Sequence, residues 1–339
     1  METHPEIIAH CRHQPLQTML ILLAATVMPL LAGAQLPPEE VQVLHNLYNM
    51  TDGDNWDIKD GWMGPPGTEC DWYGIVCDSD GSHIVRLLLH HNNLSGEIPN
   101  LDPLEKTWEI NLGNNKLTGE IPPLHKLTEL SWFSVLHNNL TGEIPDLSSL
   151  SNLNHFNALG NELTGQIPPL EKLKKLQIFY VDHNSLTGEI PDLQGLDELI
   201  GFGVGFNNLT GEIPELEEFS QLKYFYTPDN NLSGSIPSLS GLSELLTFNV
   251  AGNHLTGQVP NLTDQSKLEF FDVSNNSLTG PVPDLPSPHS LYSGYSFLCP
   301  NHLNKVDNEE WDEITGTIPW HQDCEVLDDV FSDRFESKN

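Results

Sequence analysis

Five histidines, His90, His91, His137, His155 and His183, recur along one stretch of the chain and are the first candidates for metal or proton chemistry. Their spacing matches no ligand set of fixed number, so they read as surface histidines and no metal is expected. The acidic run Asp52-Gly53-Asp54-Asn55-Trp56-Asp57 departs from EF-hand spacing and reads as a turn leading to the pair Trp56 and Trp62. Carboxylates are abundant, but no nucleophile–base pair forms a motif, which points away from catalysis. The remaining chemistry is adhesive. Trp132, Tyr180, Phe206, Tyr224, Tyr226 and Phe270 gather in the middle of the chain, with His155, Asp182 and Asp229 among them. Exposed aromatics on a rigid surface anchor proteins, peptides or sugar rings.

What must position these side chains is a repeat. The phrase Asn-x-Leu-(Thr/Ser)-Gly-x-(Ile/Val)-Pro occurs nine times at an unbroken spacing of 23 residues, with its asparagine at 92, 115, 138, 161, 184, 207, 230, 253 and 276. A strict period means one supersecondary unit stacked on copies of itself. Five residues before each asparagine stands an apolar residue, Phe in the last seven copies (Phe133 to Phe271), and three before it is mostly Val or Leu. Apolar residues two apart describe a short strand with one buried face. Nine such strands at about 4.8 Å make a parallel sheet roughly 40 Å long.

The invariant columns have structural readings. The asparagines are expected to turn inward and satisfy backbone groups, the glycines to permit a turn, and the prolines to end the ladder. The Thr/Ser column from Ser95 to Thr279 could order ice-like water, but local turn hydrogen bonding accounts for it more simply. Function is therefore sought at minus six, minus four, minus two and minus one, which alternation places on the concave face. Trp132, His155, Tyr224 and Phe270 stand at minus six; Tyr180, Gly203 and Tyr226 at minus four; Asp182 at minus two; Phe206 and Asp229 at minus one. Gly201-Phe202-Gly203-Val204-Gly205 strips three outward side chains from one strand. That predicts a notch walled by Ile178 and Tyr180 on one side and Tyr224 and Tyr226 on the other.

Residues 1–34 read as a secretory signal: the apolar run Met19 to Leu31 precedes Ala32-Gly33-Ala34, a small-x-small cleavage form. At 13 residues the run is short for a membrane span, and no second apolar stretch follows it. Without residues 1–34 the chain has 13 basic against 46 acidic side chains, which argues against nucleic acid and anionic membrane as partners. Of three possible pairings of Cys70, Cys77, Cys299 and Cys324, the short-range one seals both ends of the array, in an oxidising compartment. Sequons at Asn49, Asn93, Asn139, Asn208, Asn231, Asn261 and Asn275 fit the same location. An echo of the phrase, Ile314 to Pro319, is expected to cover the open edge at Phe271 and Val273, and the acidic stretch Asn301 to Asp312 to be helical.

The unit L-x-x-L-x-x-L-x-F-x-V-x-x-N-x-L-T-G-E-I-P resembles the plant-type leucine-rich repeat, and Asp54-Asn55-Trp56, Gly61-Trp62 and Cys70 to Cys77 resemble that family's N-terminal cap. The resemblance, from about Leu36 to Pro283, implies an α/β repeat solenoid: a right-handed superhelix with a parallel concave β-sheet and disulfide-bonded caps. It implies an N-terminal cap over 35–80, nine repeats over 81–286, and a C-terminal cap and acidic tail over 287–339. The family includes receptor-like kinase ectodomains, receptor-like proteins and secreted polygalacturonase inhibitors. The expectation is a secreted, non-catalytic recognition module without cofactor that binds a protein, peptide or glycan on its concave face. The alternatives are an inhibitor of a basic extracellular polysaccharide hydrolase and a structural or ice-surface protein. The chain departs from receptor members in lacking kinase motifs and from typical inhibitors in its uniform period and phenylalanine column.

Overall fold

A computed structural model describes residues 35–325, so the signal expected over 1–34 and the end of the acidic tail lie outside the described residues. The chain opens with helix α1 (Pro38–Met50). Proline at its first position and Glu39 and Glu40 in its first turn suit a helix N-terminus, where free amides favour a rigid φ and negative charge. Val43, Leu44 and Leu47 are buried, and Tyr48 joins Trp56, Trp62 and Trp72 in an aromatic cluster. Glu40 is buried and ties helix to sheet: its carboxylate meets His83 Nδ1 at 2.6 Å and accepts the Ile84 N–H at 2.7 Å. A disulfide joins Cys70 to Cys77.

The main sheet has ten strands in chain order: Ile75–Cys77, Ile84–Leu88, Glu109–Asn111, Trp132–Ser134, His155–Asn157, Ile178–Tyr180, Gly201–Gly203, Tyr224–Tyr226, Thr247–Asn249 and Phe270–Asp272. The first is antiparallel to its neighbour and closes the array; all later pairs are parallel. Register sets phenylalanine against phenylalanine, and the seven rings from Phe133 to Phe271 stack at centroid distances of 5.5–5.9 Å, fully buried. The expected spine is present. Leucines of the return limbs fill the rest of the core, and those limbs are turns: among the described residues α-helix occurs only at the two ends.

From Asn138 to Asn276 each asparagine binds three carbonyls and one amide. Asn207 Nδ2 donates to the carbonyls of Val204, Gly205 and, one repeat earlier, Val181, at 3.0–3.1 Å. Its Oδ1 accepts the Leu186 N–H at 2.9 Å. Every rung thus staples one repeat to the one before it, where the strand bends away and its backbone would otherwise be unpaired. Asn92 uses the same side-chain atoms on the cap, pairing with the N–H and carbonyl of Ile58.

The far end differs from expectation. A tenth rung exists at Asn301, which donates to the carbonyls of Val273 and Leu298 and accepts the Leu278 N–H. It lies 25 residues after Asn276, off the period. The echo at Ile314 to Pro319 does not cover the open edge: Ile314 and Thr315 end helix α2 (Glu309–Thr315), and Ile318 is exposed. The cover comes instead from backbone pairing of Val273 and Phe271 with Phe297, and from Trp311, whose ring lies 6.3 Å from Phe271. Helix α2 takes only the end of the acidic stretch, capped by the side chain of Asn308. Cys299 pairs with Cys324.

Candidate functional site

The concave face is built from three-residue strands, and its side chains divide into separate groups. At its N-terminal side Arg86 pairs with Glu109 at 2.5 Å and lies over the Trp108 ring. Next, Trp132 and His155 stack face to face, 3.5 Å between centroids and 2° from parallel. Burial holds His155 down at about 4, so it packs as a neutral ring. The other histidines are equally dispersed, and among the described residues no cluster of His, Cys, Asp or Glu is placed to hold a metal ion.

The central group forms a cavity of about 370 Å³ lined by Leu159, Tyr180, Asp182, His183, Tyr224, Tyr226 and Thr247. Four of the residues singled out from sequence meet there: Tyr180, Asp182, Tyr224 and Tyr226. Gly203 lies beneath it. Trp132, His155, Phe206, Asp229 and Phe270 share the face without lining the cavity. Leu159, His183 and Thr247 complete it; their columns place them on the face, but no local sequence signal distinguishes them there.

The glycine strand is not an open notch. The Tyr180 ring lies along it, so a Cβ on Gly201 would land on the Tyr180 hydroxyl, and one on Gly203 would come within 2.5 Å of Asp182 Oδ2 and 2.8 Å of Tyr180 Cδ1. From the other side Tyr226 and Pro228 close over Gly205. Tyr180 is therefore a floor rather than a wall, and the glycines are required by the rings that lie on them. The cavity is what remains between this floor and Tyr224.

A second correction concerns minus one. All nine residues of that column have left-handed backbone, with φ between 49° and 68°. Glycine, asparagine, aspartate and histidine suit such a position, whereas Phe206 is held there at a conformational cost. Two residues of the column meet: the His183 and Phe206 rings stack at 4.1 Å and 9°, and Phe206 leans on Tyr226. They form a ridge beside the cavity.

Acidic groups dominate the electrostatics of the cavity. Asp182 is 4 % exposed, and one oxygen accepts the Gly205 N–H at 2.8 Å. Burial nevertheless pushes its carboxyl up to about 7. Burial, then the Asp182 carboxylate, raises Tyr180 to about 12. Tyr226 is raised by burial and by Asp182, Asp229 and Asp272, and Asp229 and Asp272 are themselves raised chiefly by burial.

The Thr/Ser column occupies a separate, narrow ladder on the flank. From Thr141 to Thr279 its hydroxyls donate to glycine carbonyls of the preceding repeat at 3.1–3.4 Å, the local bonding expected from sequence.

This geometry agrees with comparisons to known proteins. The Leucine Rich Repeat family model matches residues 267–288. The structure resembles that of PEPR1 with AtPEP1 at 27 % identity and TM-score 0.65, covering 78 % of this chain and 42 % of that one. It resembles the plant peptide hormone receptor RGFR1 in complex with RGF2 at 34 % identity and TM-score 0.51, covering 56 % and 32 %. A plant ice-binding protein matches at 23 % identity and TM-score 0.62, covering 79 % and 88 %, a likeness of fold alone. This chain spans less than half the length of either receptor chain. No curated protein matches it. The chain folds as a leucine-rich-repeat superhelix with a parallel concave sheet, and it is similar in structure to plant leucine-rich-repeat receptors. The two disulfides and the ectodomain structures it resembles fit an extracellular protein, and among the described residues no helix is long and apolar enough to cross a membrane.

Proposed function

We propose that this chain is a secreted, non-catalytic recognition module that binds an extended peptide segment along its concave face, centred on the cavity between Tyr180 and Tyr224. The observation that carries the reading is the cavity itself, a concave recess with a largely aromatic lining. The stacked His183 and Phe206 rings beside it support the same reading by extending the aromatic surface of the recess. The similar structure of RGFR1 is that of a plant peptide hormone receptor in complex with RGF2, which makes a peptide the first ligand class to try.

Tyr180 is a poor residue for the test because it packs on the glycine strand. Tyr224, 40 % exposed, is the clean one. Peptides selected from a random dodecapeptide display library against the full chain should lose at least about tenfold in affinity on Tyr224→Ala, roughly 1.4 kcal/mol, with an unchanged melting temperature. The reading fails if selection yields no binder, or only binders indifferent to Tyr224.

A further inference from the structure

Asp182 is an acid where the fold needs only an acceptor. Its Oδ1 serves the Gly205 amide; the matching amide of other repeats is served by neutral asparagines, Asn111 for Gly113, Asn157 for Leu159 and Asn249 for Ala251, and once by an acid, Asp272 for Ser274. The other oxygen of Asp182 lies over Gly203, under the cavity. Burying a carboxylate without a counter-charge is costly, and an asparagine would avoid the cost.

The cavity lining contains no lysine or arginine. About Asp182 in the cavity lining stand Tyr180 and His183 from its own repeat, Tyr224, Tyr226 and Thr247 from those that follow, and Leu159 from the one before, with the Gly205 amide on one oxygen; Asp229 and Asp272 act with it on Tyr226. Among these only His183 can carry positive charge, and it acts on Asp229. Tyrosine rings present negative faces to whatever enters, and a desolvated cation over such faces is held more tightly than in water. The entrant that fits has a cationic head and an apolar stem. Anions have nothing to meet the carboxylate, and neutral sugars can donate hydroxyls to it but leave its charge without a counter-ion.

We propose that the cavity is a cation pocket, taking the guanidinium or ammonium end of an arginine or lysine side chain of the bound peptide, with Asp182 as its ion-pair partner and Tyr180, Tyr224 and Tyr226 packed about its stem. This rests on the concave face being the peptide-binding surface. A pH dependence follows. The empty pocket holds Asp182 at about 7, and a bound cation favours the ionised form, so binding releases a proton and weakens as pH falls below that value.

N-acetyl-arginine amide and its neutral isostere N-acetyl-citrulline amide test this directly, titrated into the full chain while the backbone amides of Gly203 and Gly205 are followed by NMR. The arginine compound should give a saturable shift at millimolar concentration, with citrulline at least about tenfold weaker. Affinity should be at least about tenfold higher at pH 8 than at pH 5.5. Asp182→Asn retains an acceptor for Gly205 and should erase the preference. Thr247→Arg, placing a cation in the lining, should abolish binding of both. Equal response to the two compounds, no response to either, or a preference that survives Asp182→Asn overturns the proposal. If library peptides bind through Tyr224 yet show no basic residue at the protected position, the cation pocket fails while the peptide-binding face stands.

Discussion

Asp182 shows how one side chain can be costly to the fold. Its folded carboxyl titrates at about 7 against an ordinary value of 3.8, because burial disfavours the charged form. A raised acid binds more protons folded than unfolded between those values, so stability declines as pH rises from about 4 to about 7. Asp182→Asn should therefore raise the melting temperature at pH 7.5 and change it little at pH 4, a contrast read by calorimetry at the two values. Equal shifts at both pH values would mean that packing, and not charge, governs the site. That Asp182 stands on the concave face follows from its place in the repeat. Its burial does not, because burial depends on glycines one strand away that let Tyr180 lie flat. The left-handed column was partly legible: its Asn, Gly, His and Asp residues are types that favour positive φ, and only Phe206 carries no mark of it.

Among elements, the repeat was legible because every rung imposes the same local demands. Phenylalanine at minus five and asparagine at zero are each fixed by contacts with the copies on either side, so they recur without exception in the middle of the array. The ends were less legible, since a cap meets a repeat on one side only. Asn301 does the work of a rung from outside the period, and Trp311 seals the spine from a short helix. Asn301→Ala should leave three backbone groups without their partner, costing about 2–3 kcal/mol. In a stack where each unit contacts only its neighbours, that loss should stay local. Hydrogen exchange would report it: the Leu278 amide should exchange faster while Leu117, whose partner is Asn138, is unaffected. Acceleration at both would show the array to melt as one unit.

For the whole molecule, the uniform period makes length and site separable. The cavity draws on five consecutive strands, from Leu159 just beyond His155–Asn157 to Thr247 in the ninth. Inserting a second copy of residues 116–138 should lengthen the solenoid by about 4.8 Å and leave peptide binding unchanged. Small-angle scattering and the peptide affinity check this together, and loss of binding in a folded insert would show that the site extends to the N-terminal cap.

The asparagine ladder carries one more implication. A staircase of identical steps contains no instruction about its height: any rung accepts another above it. Here the count ends because the next asparagine arrives two residues late and brings a cover with it. A polymer is thereby converted into an object of defined size by a shift in spacing. Restoring the period at that point, by deleting two residues between Asn276 and Asn301, would remove the stop signal and not merely damage a cap.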